Sequence, residues 1–100
     1  MRIENETAKL RTIRERLRMI CRGHSISVSR YDEDNAQYCF YVDDGKRGMI
    51  AITKEWLDRI PAAEIDAEIR RKRVTPKVIE QTGEDQCLVL SSGPVISRPR

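Results

Sequence analysis

The sequence predicts an α+β fold: an antiparallel sheet of three to four strands, a long N-terminal helix on one face, and short helices after the third strand. Three observations carry this expectation. Leu10, Ile13, Leu17 and Ile20 recur at steps of three and four, the period of one helix face. Ser25 to Ser29 alternates serine with Ile26 and Val28, as a strand with one wet face does. Gln37 to Ile52 sets two apolar runs around Asp43-Asp44-Gly45, which reads as a hairpin.

In chain order, the first helix is expected over about residues 5–22, with Ile3 on its apolar stripe. Glu4 and Glu6 near its start and Arg22 near its end suit the helix dipole, and Gly23 suits its stop. Arg11, Arg14, Arg18 and Arg22 share the opposite stripe, with Glu15 beside them. Such a face is either soluble surface or a site for phosphate or an acidic partner. His24 opens the strand that follows, where it reads as an ordinary polar residue. Asp32-Glu33-Asp34-Asn35 is turn chemistry and lacks the ligand spacing and glycine of a calcium loop.

The hairpin's register can be argued from its pattern. A three-residue loop at Asp43-Asp44-Gly45 pairs Tyr38 with Ile50 and Phe40 with Gly48. It collects Tyr38, Phe40, Val42, Ile50 and Ile52 on one face, which Ile26 and Val28 join and the first helix covers. The other face then holds Cys39, Tyr41, Met49 and Ala51, apolar for a surface meant for water. These four are the candidate protein-interaction residues.

Thr53 can cap a helix whose apolar side is Trp56, Leu57 and Ile60. Pro61 suits the first turn of another, with Ala62, Ile65 and Ile69 inward and Arg70, Arg71, Lys72 and Arg73 closing it. Thr75-Pro76 marks a short helix at about 76–82, with a strand through Val78-Ile79 as the alternative. Gln86 to Leu90 reads as a buried strand. One domain is expected over 1–93, and 94–100 as a flexible tail.

Composition narrows the function classes. Hydrophobic residues make up 39% and charged residues 35%, too many aliphatics for a disordered chain. The net charge is +3, but its distribution is uneven. Residues 1–24 carry seven bases against three acids, a net of +4, and 61–77 five against three, a net of +2. Between them, 25–60 carry five bases against seven acids, a net of −2. The three cysteines are far apart, without a CxxC pair, and His24 is the one histidine. No zinc site, disulfide framework or cofactor motif is therefore expected. No apolar run approaches membrane length, and a cytoplasmic setting is the default.

Catalysis by a nucleophile needs a base and an orienting group beside it, and no such constellation or phosphate-cradling glycine loop is present. The order helix, three strands, helix is similar to that of double-stranded-RNA-binding domains. Their basic cluster at the last helix is replaced by Thr53-Lys54-Glu55-Trp56. A helix-turn-helix from 62–72 and 76–82 would offer a groove only Lys77, Gln81 and Thr82. The expectation is a small non-enzymatic regulatory or adaptor protein that acts by protein–protein contact as a homodimer, or with another protein. The alternative is DNA or RNA binding through the Arg11/Arg14/Arg18/Arg22 stripe, helped by Arg70 to Arg73.

Overall fold

The computed structural model describes residues 2–99, with side chains from residue 7 onward. Helix α1 runs Arg2–Ile20. The expected roles of Ile3, Glu4 and Glu6 lie outside the described side chains. Ile13 and Leu17 are fully buried, with Leu10 and Ile20 packed beside them, so the predicted stripe is the core face. A turn closes the helix, His24 N–H donating to Cys21 O at 3.0 Å, and Gly23 there has φ +87°.

Strands β1 (Arg30–Asp32), β2 (Gln37–Tyr41) and β3 (Met49–Thr53) follow as an antiparallel meander. Helices α2 (Lys54–Arg59), α3 (Ile65–Arg71) and α4 (Pro76–Gln81) then lead to β4 (Gln86–Leu90) and β5 (Ile96–Pro99). The five strands lie in sequence order across one mixed sheet. Two expectations are corrected here. The strand count is five rather than three to four, and β3 pairs with β4 in parallel. The three intervening helices are the crossover that a parallel pair requires. The apolar run Cys87 to Leu90 of β4 suits a strand buried on both faces. The fifth strand comes from the segment expected as a tail: Ile96 to Pro99 pair antiparallel with β4. Pro99 at its end is tolerated because β5 is an edge strand.

The expected strand over 24–31 is broken. Ile26 bridges Val42, whereas Arg30 pairs with Cys39. Three residues, Ser27 to Ser29, therefore oppose two, Phe40 and Tyr41, which is a β-bulge. Ser27 fills it on both sides, its N–H donating to Tyr41 O and its Oγ accepting from Tyr41 N–H at 2.8 Å. The bulge turns the alternation over. Ile26 is 4% exposed as expected, but Val28, expected in the core, is 66% exposed.

The hairpin keeps its predicted faces but not its predicted register. Phe40 pairs with Ile50 and Tyr38 with Ile52, two residues further along than expected. A shift of two preserves the side to which every residue points, because the side-chain period is two. The loop is longer because Asp43 and Asp44 both take positive φ, +51° and +56°, which aspartate tolerates. Val42 N–H then closes on Gly48 O at 3.1 Å. Gly48 itself has φ +87°, and a Cβ there would meet Gly83 O at 2.5 Å, so glycine is required.

All the helices pack on one side of the sheet. Phe40, Val42, Ile50, Ile52, Leu88 and Leu90 meet Trp56, Leu57, Ile60, Ile65, Ile69 and Ile79 in one buried cluster. The caps form as the sequence suggested: Trp56 N–H donates to Thr53 Oγ1 and Val78 N–H to Thr75 Oγ1, both at 3.3 Å. Ala62 is corrected; it is exposed, because a single 3-10 turn at Ala62–Glu64 precedes α3.

Long cations tether α1 on both flanks. Lys9 donates to Leu57 O at 2.8 Å, and Arg16 pairs with Asp66 at 3.2 Å. On the other flank Arg14 Nη2 donates to Ile26 O at 2.9 Å and its Nε to Ser27 O at 3.1 Å. Partly shielded bonds from a charged donor contribute about 1.5–3 kcal/mol, so Arg14 holds the bulge against α1. The exposed Arg59–Glu55 pair contributes little by comparison.

The bulge makes a direct prediction. Ile26→Ala should cost about 2–4 kcal/mol, as deleting a buried isoleucine side chain does. Val28→Thr should stay within about 0.5 kcal/mol, as exposed substitutions do. Urea unfolding of the two variants checks this, and equal losses would count against the bulge.

Candidate functional site

Register alone assigns the side of the sheet that carries no helix. Its middle row is Arg30, Cys39, Ala51, Val89 and Ile96, one residue from each strand. The row on one side is Tyr41, Met49, Cys87 and Arg98, and on the other Asp32, Gln37 and Thr53. Cys39, Ala51, Cys87 and Val89 form a second buried cluster, with Tyr41 and Met49 packed against it. All four interaction candidates thus share this face.

The face is shielded by its own long side chains. Arg98 begins beside Cys87 on β5, yet its Nη2 donates to Gln37 Oε1 on β2 at 2.6 Å. To do so it must cross the middle row, where Ala51 is 0% and Cys39 3% exposed. The polar chain continues to the opposite edge: Gln37 Nε2 donates to Asp32 Oδ2 at 3.4 Å and lies 3.7 Å from Cys39 Sγ. Asp32 also accepts from Asn35 Nδ2 at 2.8 Å, and these bonds, Asn35's first, hold its carboxyl below the ordinary range. Burial, then the proximity of Cys87, pushes the Cys39 thiol up. The apolar groups still open on this face are Ile96, 52% exposed, and the partly buried Tyr41 and Met49. Beside Tyr41, a shallow hollow is lined by Arg30 and Asp44.

Cys87, Val89, Gln37 and Arg98 are site residues the sequence reading did not single out. The apolar run Cys87 to Leu90 in β4 signalled a strand with two buried faces, which points to the first two. Nothing local marks Arg98, because its role depends on β5 joining the sheet.

The arginine stripe is not one unit. Arg11, Arg18 and Arg22 are exposed, and Arg18 pairs with Glu15 at 3.5 Å. Arg14 is drawn from the stripe onto the carbonyls of the bulge. In the second basic segment, Arg71 pairs with Glu68, and Arg70 and Arg73 are exposed. Lys72 donates to Gly93 O at 2.7 Å and lies 5.2 Å from the Trp56 ring centre. Helical spacing sets Arg18 and Arg22 on the outward side of α1, while Arg11 shares a shallow groove with Arg16 and with Asp66 of α3.

His24 is bound to the hairpin loop. Its Nδ1 lies 2.7 Å from Asp43 Oδ2, and Ser25 N–H donates to Asp43 Oδ1 at 2.9 Å. These contacts, His24's first, lower the Asp43 pKa. Cys21 is the nearby thiol, but it is buried, and burial pushes it up to about 11. It is a thiol rather than a thiolate at neutral pH, and the bonds of His24 and Ser25 to Asp43 tie the end of α1 to the hairpin loop. Among the described residues, no group of three or more His, Cys, Asp or Glu side chains could hold a metal ion. No described helix is long and apolar enough to cross a membrane. Comparison with known proteins finds no family model, no curated protein and no solved structure that matches this chain.

Two outcomes are expected. Arg98→Ala should speed maleimide labelling of Cys39 and Cys87 by about tenfold or more while leaving Cys21 unchanged, since exposure governs thiol reaction. Peptide mass spectrometry of timed samples reads this, and unchanged rates would mean that something other than Arg98 covers the thiols. For Asp43, the folded pKa lies below the unfolded one. Its stabilising contribution is therefore present above the ordinary carboxylate value near pH ~4 and lost as pH falls through the folded value. Asp43→Asn should lower the urea midpoint at pH 7, and the gap to the unaltered protein should close at low pH.

Proposed function

We propose that this chain is a small non-enzymatic adaptor or regulatory module that works through protein contact, pairing with a second copy of itself across the helix-free sheet face. One observation carries the reading: the sheet has an apolar centre on both sides, and only one side has helices. Tyr41, Met49 and Ile96 stand around the shielded Cys39/Ala51/Cys87/Val89 centre, where a partner would complete their burial. Both charge signs edge the same face, Arg30 against Asp32 and Asp44. A two-fold pair can set each sign against its opposite, as an isologous interface must.

Nucleic-acid binding through α1 is the second reading. It draws on the exposure of Arg11, Arg18 and Arg22. It has less support, because Arg14 is already bonded within the fold, Glu15 offsets Arg18, and Arg71 and Lys72 are engaged by Glu68 and Gly93 O.

Sedimentation velocity up to several hundred micromolar should show a dimer. Met49→Glu and Ile96→Glu should each weaken it about 30-fold, the effect of a charge placed at an interface anchor worth about 2 kcal/mol. A strict monomer over that range would remove the reading. In parallel, a salt-sensitive mobility shift with DNA or RNA that Arg18→Glu and Arg22→Glu abolish would favour the second.

A further inference from the structure

The β-bulge opens a cleft on the helix-covered side of the sheet. It lies between α1 and Ser27–Ser29, away from the proposed contact face. Leu10, Val28 and Phe40 give it an apolar lining, Arg11 and Arg14 supply cations, and no acidic residue is among the described groups that line it. Its volume is about 240 Å³, below the roughly 300–1,000 Å³ of drug-sized pockets.

Arg14 is the informative residue. A guanidinium has five N–H donors in a planar fork. Here Nε is shared between Ile26 O and Ser27 O, at 3.2 and 3.1 Å, and Nη2 donates once to Ile26 O at 2.9 Å. Those bonds fix the plane of the group. The other Nη2–H and both Nη1–H groups make no bond to any described residue, so the end-on edge remains for an acceptor. A locked guanidinium edge matches a planar carboxylate, which it can bind with two parallel bonds. Because the edge is already oriented, little side-chain freedom is lost on binding.

We infer that this cleft binds a small organic monocarboxylic acid with an apolar body. The carboxylate lies on the free edge of Arg14, Arg11 adds charge, and the body rests on Leu10, Val28 and Phe40. The small volume favours a small acid over an extended peptide, and the apolar lining favours it over inorganic anions. The site goes beyond the protein-contact reading and does not depend on it.

Phenylacetate is a suitable probe, and 2-phenylethanol is its uncharged counterpart. Titration of the ¹⁵N-labelled full chain should give saturable shifts at the amides of residues 10–14, 28–29 and 40. With about ten non-hydrogen atoms, the probe should bind with a Kd of about 1 mM or tighter. The alcohol should bind about tenfold more weakly, since it lacks the charge that Arg14 and Arg11 meet. Val28→Glu, at an exposed position, should abolish saturation without unfolding the protein. Arg11→Gln should weaken binding about threefold, and both variants keep the Arg14 tether intact. Linear shifts up to about 20 mM, far beyond the expected Kd, would overturn the assignment. So would equal shifts from the alcohol, or shifts at Arg18 and Arg22 as large as those in the cleft. An acidic heptapeptide that moves the same amides at a tenfold lower concentration would replace the small acid with a protein partner.

Discussion

Ile50 and Ile52 point to one side of β3 and Ala51 to the other, and the two-layer build follows from that difference in size. β3 is the middle strand, hydrogen-bonded to β2 and to β4. On its isoleucine side the large side chains would stand open to water without the four helices that cover them. On its alanine side the neighbours are Cys39, Cys87 and Val89, all small enough to leave a shallow trough. A trough one side chain deep can be closed by a single arginine. A second helical layer there would need bulkier residues to meet it.

Polar bonds decide how the layers sit. Helix α1 supplies the largest cover, yet its position is set at its flanks by Lys9, Arg16 and Arg14. Each of these long side chains lays its aliphatic stem along the core edge and delivers its charge to a carbonyl or carboxylate. An arginine stripe that looks uniform in one dimension thus divides its labour. Arg14 is structural through two of its nitrogens, and the remaining arginines meet water.

The same bulge that needs Arg14 also gives the surface its variety. By moving Val28 out of the sheet's alternation, it parts the strand from α1 and opens an apolar recess next to a fixed guanidinium. The opposite side of the sheet presents a different kind of surface, shallow and edged by both charge signs. The chain therefore has two chemically distinct faces, and the sheet's parity separates them.

Much of this was legible in the amino-acid order. The α1 stripe, the Thr53 and Thr75 caps, the extent of β4 and the two faces of the hairpin all rest on local periods and local hydrogen-bond chemistry. Those act within a few residues, so they can be read there. The site residues Cys39, Tyr41, Met49 and Ala51 share one face for the same reason, and an error of two in register leaves them together. What the sequence could not display were events between distant segments. Val28 leaves the core because Ser27 satisfies Tyr41 across the bulge. The tail becomes β5 because β4 offers it an open edge. Arg98 covers Ala51 because Gln37, 61 residues away in sequence, presents its amide oxygen. Each of these is decided by which backbone and side-chain groups still lack partners once the sheet has formed, and only the tertiary structure determines that.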